Sequence, residues 1–153
     1  MANTYTQLYF HVILTVKFRA SLISPKWKVE LYKFICGITN NKKQKIIAIN
    51  GMPDHLHILI GQKPDICLSD IVRDIKANSS RFINQRNLTK RRFEWQVGFG
   101  AFTFGYSQMD TLVRYVQDQE KHHGKTIFLE EYLQLLVEHN IDFHSDYLFK
   151  EPE

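Results

Sequence analysis

The stretch Met52-Pro53-Asp54-His55-Leu56-His57-Ile58-Leu59-Ile60 decides how this chain is read. It opens on a Pro-Asp turn and continues as a strand rich in branched apolar residues. Side chains alternate faces along a strand, so residues two apart point the same way. His55 and His57 therefore share one face, while Leu56, Ile58 and Ile60 share the other. Two imidazoles on one rigid, half-buried strand can serve as a metal clip.

Working outward, Lys45 to Asn50 reads as the preceding strand. Asn50-Gly51-Met52-Pro53-Asp54 supplies the turn, so the two strands form a hairpin. Upstream, Leu8, Phe10, Val12, Leu14, Val16 and Phe18 alternate with mostly polar partners and predict a long first strand. Ser24-Pro25 predicts a helix start, with serine as N-cap and proline at the first helical position. Trp27, Leu31, Phe34, Ile35 and Ile38 carry that helix to about Asn40. Downstream, Ser69 reads as the cap of a second helix whose buried stripe is Ile71, Val72, Ile75, Phe82 and Ile83. Residues 87–94 read as a basic loop. Trp95 to Phe104 reads as a fourth strand, with Gly98 and Gly100 marking a bend or a close backbone approach. Met109, Leu112, Val113 and Val116 place a third helix from about Gln108 to His123, stopped by Gly124. A short fourth helix near Ile127 to His139 precedes an irregular tail. The order strand, helix, strand, strand, helix, strand predicts an α+β fold: a ferredoxin-like βαββαβ antiparallel sheet with helices on one face, followed by extra C-terminal helices. In that topology the histidine strand is central, the stiffest location for a site.

Composition sets the outer bounds. At 153 residues the chain fits a single domain spanning 1–153, and 44% hydrophobic with 24% charged residues is ordinary for a globular protein. No apolar run reaches bilayer length and the first residues lack a signal-type apolar core, so a cytoplasmic location is expected. Cys36 and Cys67 are expected to be buried reduced thiols. Residues 1–117 hold 17 Lys and Arg against 7 Asp and Glu, whereas residues 118–153 hold 3 against 9. A basic body with an acidic C-terminal helix and tail from about residue 124 points to a polyanionic partner or, as the plainer reading, to a solvated surface.

On the third helix Tyr115 and Gln119 are four apart and share a face, which His122 continues. A phenol near two strand imidazoles and a metal suits attack on a phosphodiester. The metal offsets developing charge on the phosphate, and the tyrosine forms a covalent phosphotyrosyl intermediate.

At these residues the sequence resembles the single-tyrosine HUH transposases of small bacterial insertion sequences, the IS200-like transposases. The triplet His55-Leu56-His57 matches the His-hydrophobic-His motif, and Tyr115-Val116-Gln117-Asp118-Gln119 matches the family's catalytic helix. Glu120-Lys121-His122-His123 and Trp95-Gln96-Val97-Gly98-Phe99 are also similar to that family. The resemblance runs from Tyr9-Phe10-His11 through His123. It implies that His55, His57 and Gln119 bind a divalent metal ion, Mg2+ or Mn2+. Magnesium prefers all-oxygen shells, whereas imidazole suits manganese, zinc or nickel better. It further implies that Tyr115 cleaves single-stranded DNA at hairpin-bearing element ends, keeping the 5′ phosphate and freeing a 3′ hydroxyl for rejoining. A homodimer with sheets joined edge to edge is implied as well, in whose active form the tyrosine helix of one subunit can complete the histidine pair of the other. Alternatives are a domesticated relative that processes chromosomal palindromic repeats, a non-catalytic DNA-binding regulator on the same scaffold, and a metal-dependent phosphohydrolase using activated water.

For DNA contacts, Arg73, Lys76, Arg81, Arg86, Lys90, Arg91 and Arg92 form one basic group, and Lys42, Lys43 and Lys45 a second. Phe93, Phe99, Phe102, Phe104 and Tyr106 could stack unpaired bases. His11 reads as a half-exposed strand histidine, and Asp54 as a turn residue.

Overall fold

The computed structural model describes residues 4–122 and 128–143. Strand β1 (Leu8–Thr15) alternates as the sequence predicts, but it ends before Phe18. Phe18 and Arg19 adopt φ of 62° and 52° in a single 3-10 turn, a left-handed geometry that no strand can propagate. Ser24-Pro25 makes a lead-in turn rather than the helix cap itself: Ser24 Oγ accepts from Lys26 N at 3.1 Å and Ser24 O from Lys28 N at 3.0 Å. Helix α1 (Lys28–Asn41) follows.

Strands β2 (Lys45–Met52) and β3 (His55–Gln62) form the expected hairpin, with Pro53-Asp54 as its two-residue connection and Met52 opposite His55. Gly51 is fixed by crowding. A Cβ there would lie 2.2 Å from His55 O and 2.9 Å from Leu56 Cα, both backbone atoms that cannot yield. A bulge between Ile46 and Ala48 shifts the register of β2. Helix α2 (Leu68–Gln85) begins after Cys67, two residues ahead of the expected cap, and Ser69 lies within its first turn.

The fourth strand is shorter than the sequence suggests. Of the expected stretch, Gly100–Thr103 (β4) forms a strand against β1; Trp95 makes an isolated bridge to Val16, and residues 97–99 loop out. Gly98 takes φ +84° in that loop, and Lys76 Nζ holds it by donating to Gln96 O at 2.7 Å and Gly98 O at 2.8 Å.

The sheet is antiparallel with order β2-β3-β1-β4, the ferredoxin-like arrangement, and β3 and β1 are its centre. Val12 and Leu14 of β1, with Val16 just beyond it, join Leu56, Ile58 and Ile60 of β3, all essentially unexposed, under α1 and α2. Each of these larger aliphatic side chains contributes roughly 1.5–3 kcal/mol by leaving water. The second face is covered too, by the extra C-terminal helices that the sequence predicts. Helix α3 (Met109–Gln117) lies against β2 and β3, with Val116 packed on Leu59, Ala48 and Phe104. Helix α5 (Phe128–Glu138) packs Phe128, Tyr132 and Leu136 on Ile13 and Phe102.

The third helix is not continuous. It stops at Asp118 (φ −96°, ψ 23°) and resumes as the short α4 (Gln119–His122). Asn50 Nδ2 from β2 donates to both Val116 O and Gln117 O at 3.0 Å, taking up carbonyls that an unbroken helix would use internally. The break therefore ties the tyrosine helix to the sheet. Both cysteines are free, but Cys67 is exposed and Cys36 only part-buried, so neither is the fully buried thiol expected.

Candidate active site

His55 and His57 lie on the α3/α5 face of β3, as strand alternation requires, and neither is exposed at all. Their rings are 5.1 Å apart at 78°. Each has its Nδ1 engaged by a neighbour. Asp54 Oδ1 accepts from His55 Nδ1 at 2.7 Å, and His57 Nδ1 lies 2.7 Å from His11 Nε2. His11 is only 2% exposed, not half-exposed as its sequence position suggested, because β1 is interior and α3 and α5 cover its second face. Burial first, and then the positive form of His57, push the His11 pKa down to about 3, so this imidazole stays neutral.

Tyr115 arrives from α3 of the same chain. Its ring centroid is 5.7 Å from that of His57 and 6.2 Å from that of His11, edge-on to both. Gln119 is wholly buried just past the helix break, and its Nε2 donates to Tyr115 O at 3.3 Å. The fourth partner was not foreseen. Glu131 of α5 accepts the Tyr115 hydroxyl and sits 3.2 Å from His57 Nε2. Phe128, one turn earlier, stacks on His55 with centroids 3.7 Å apart and planes 3° from parallel. Burial raises the Tyr115 pKa above that of an ordinary phenol, the Glu131 carboxylate raises it further, and the Gln119 amide opposes both. With α5 docked the phenol is thus held neutral, and α5 shields both histidines.

Among the described residues, no three His, Cys, Asp or Glu side chains form a metal-holding group. A metal bound here would need the Gln119 amide or substrate oxygens to complete the two imidazoles. That donor set of imidazole nitrogen and neutral or anionic oxygen fits a borderline ion such as Mn2+ better than Mg2+. His123 lies outside the described residues.

The basic residues divide. Arg73 is exposed and bridges Asp70 and Asp74, each at 3.1 Å, while Lys76 is spent on the 96–98 loop. Arg81 donates to Asn78 Oδ1 at 3.3 Å, and Arg86 pairs with Glu30 at 3.5 Å above the Phe82 ring. Lys90, Arg91 and Arg92 stand exposed on a loop that Asn84 anchors through both Phe93 N (2.8 Å) and Phe93 O (3.0 Å). Arg91 and Arg92 line a surface hollow with Lys17 and Phe18. Of the five aromatic residues considered for stacking, Phe93, Phe102 and Phe104 are core, while Phe99 and Tyr106 are 41% and 68% exposed.

His11 and Asp54 had a signal in the sequence. His11 falls on the histidine face once β1 pairs antiparallel with β3, and Asp54 directly precedes His55. Glu131 and Phe128 had none, because nothing local says where α5 docks.

Known proteins show the same architecture. A crystal structure solved as a candidate transposase of Deinococcus radiodurans R1 superposes with a TM-score of 0.64 at 20% identity, covering 78% of this chain and 95% of that one. A REP-associated tyrosine transposase bound to a REP hairpin superposes at 0.61 with 17% identity, covering 82% of this chain and 74% of that one. In sequence, the ISDra2 transposase TnpA of D. radiodurans is 24% identical over 118 residues, 74% of this chain and 84% of the relative. The model of the family described as "Transposase IS200 like" matches residues 4–119, which include His55, His57, Tyr115 and Gln119 and stop short of α5. This chain belongs to the IS200-like transposase family.

Proposed function

We propose that this transposase cuts and rejoins single-stranded DNA at hairpin-bearing ends through Tyr115, with His55, His57 and Gln119 holding a divalent metal ion. The observation that carries this reading is the approach of Tyr115 to the histidine pair within one chain, ring to ring at 5.7 Å. In the cutting step a Tyr115 O–P bond forms as the P–O3′ bond breaks. The phenol gives up its proton, the 5′ phosphate stays on the protein, and a 3′ hydroxyl leaves. Attack by a 3′ hydroxyl on that phosphotyrosine reverses the sequence, so rejoining conserves bond energy without a nucleotide cofactor. A metal held by His55, His57 and Gln119 would supply charge stabilisation at the phosphate oxygens. Gln119 Nε2 donates to the Tyr115 backbone carbonyl and Asn50 to the next two carbonyls, so both fix the helix that carries the phenol.

A phosphodiester reaches these groups only when α5 lifts, because Phe128 covers His55 and Glu131 occupies the space between Tyr115 and His57. The docked arrangement is therefore the resting one. It also keeps the phenol neutral, the opposite of what an attacking phenolate requires. Exposed Lys90, Arg91 and Arg92 suit the phosphates of a hairpin stem, like the hairpin carried by the REP-associated relative. A homodimer paired through a sheet edge, β2 or β4, is part of this reading; the nucleophile and its histidines need no second copy to meet.

The test uses single-stranded hairpin oligonucleotides labelled at the 5′ or the 3′ end, incubated with the protein and manganese. The label 3′ of the cut becomes covalently attached to protein, and Tyr115→Phe or chelation of the metal abolishes the adduct. Cleaved product without any adduct from the wild-type chain would refute the reading in favour of activated water.

A further inference from the structure

The contacts behind the two histidines have a consequence for how they bind. An imidazole offers a ring nitrogen to a metal only if the proton sits on the other nitrogen, and the partner of that other nitrogen decides this. At His55 the choice is made by Asp54. Its carboxylate can only accept at 2.7 Å, so Nδ1 carries the proton and Nε2 carries the lone pair. At His57 the corresponding partner is a third imidazole, His11, at 2.7 Å from Nδ1. Nε2 of His57 faces Glu131 and the Tyr115 side of the site. For Nε2 to present a lone pair there, Nδ1 must donate and His11 Nε2 must accept.

We propose that His11 and Asp54 are positioning residues that set the tautomer and ring plane of His57 and His55, and so set the affinity of the site for its divalent ion. The inference rests on the metal-assisted reading of this site. The three histidines and the aspartate come from one antiparallel pair, β1 and β3 with the turn before it, so the partners are as rigid as the ligands. Ring placement supports the geometry: His11 and His57 meet edge to edge through these nitrogens, with centroids 5.0 Å apart and planes 29° from parallel. A phenylalanine at position 11 keeps an aromatic ring there and removes the acceptor. Asp54 is more forgiving, being at the hairpin tip with its side chain 23% exposed, so a substitution there spares the core.

The test measures Mn2+ binding to the full-length chain without DNA, from the electron paramagnetic resonance signal of free Mn2+, for wild type, His57→Ala, His11→Phe, His11→Gln, Asp54→Ala and Asp54→Asn. Partners of this type typically change metal affinity by about 10- to 100-fold. His57→Ala abolishes specific binding. His11→Phe and Asp54→Ala each weaken it by that factor, while His11→Gln and Asp54→Asn, which keep an acceptor, recover part of it. Adduct formation by the weakened variants returns as Mn2+ is raised. Wild-type affinity in both His11→Phe and Asp54→Ala, with binding still lost in His57→Ala, overturns the positioning role alone. Binding that ignores His57→Ala overturns the metal site itself. If His11→Phe does not fold by circular dichroism, Asp54→Ala decides the question.

Discussion

Gly100→Ala gives the most direct access to the role of α5. A Cβ at this position would lie 2.4 Å from the Tyr132 hydroxyl and 3.0 Å from its Cζ. Tyr132 packs with Phe128, Leu136, Ile13 and Phe102 where α5 meets the sheet. Overpacking of this kind costs about 1–3 kcal/mol. The intruding methyl meets the tip of a ring on a helix that can shift, not sheet backbone, so the lower half of that range applies. About 1–2 kcal/mol against docking moves the docked-to-lifted ratio roughly 5- to 30-fold, at 1.36 kcal/mol per tenfold. The substitution touches none of His55, His57, Tyr115 or Gln119. Hydrogen exchange across residues 130–138 should lose protection by that factor, and the rate of 3′-label adduct formation should rise by a similar one. The β1–β4 amides serve as the internal control and keep their protection. Faster exchange in α5 with an unchanged or slower adduct rate refutes the view that α5 gates the site.

Two further outcomes follow from buried polar groups. His11 has its pKa lowered from 6.5 in the unfolded chain to about 3 in the folded one, so its contribution is complete above 6.5 and is lost as pH falls towards 3. The slope attributable to it is on the order of 1 kcal/mol per pH unit across that window; urea unfolding at pH 7, 6, 5 and 4 reads it, and an equal slope in His11→Phe refutes the assignment. In the core, Trp95 Nε1 donates to the wholly buried Ser79 Oγ at 2.9 Å. Ser79→Ala strands that indole donor and should cost about 1–3 kcal/mol, read as a lower urea midpoint at unchanged slope, whereas Ser80→Ala on the exposed side should change little.

Sequence patterning is a local code, and its successes and failures here follow that line. The hairpin around Pro53-Asp54 was legible because turn chemistry and alternation occupy adjacent residues. The long strand expected to reach Phe18 ends early because two left-handed residues close it, and no hydrophobic period announces them. The third helix looked continuous because Tyr115, Gln119 and His122 keep a helical spacing up to Gly124. Its interruption at Asp118 depends on Asn50, an amide from a strand far away in the chain. His11 was under-read for a similar reason: a polar residue on a strand looks solvent-facing until a second layer of helices is known to cover that face.

The sequence by itself determined the βαββαβ order, the shared face of His55 and His57, and the helical spacing of Tyr115 and Gln119. These rest on periodicities of two and of 3.6 residues that every short segment carries within itself. Only the tertiary structure decided that Tyr115 meets its own chain's histidines, that His11 and Asp54 stand behind those rings, and that Glu131 and Phe128 cover them. Such contacts join elements distant in the chain, so they are fixed by how whole layers pack and not by any local pattern.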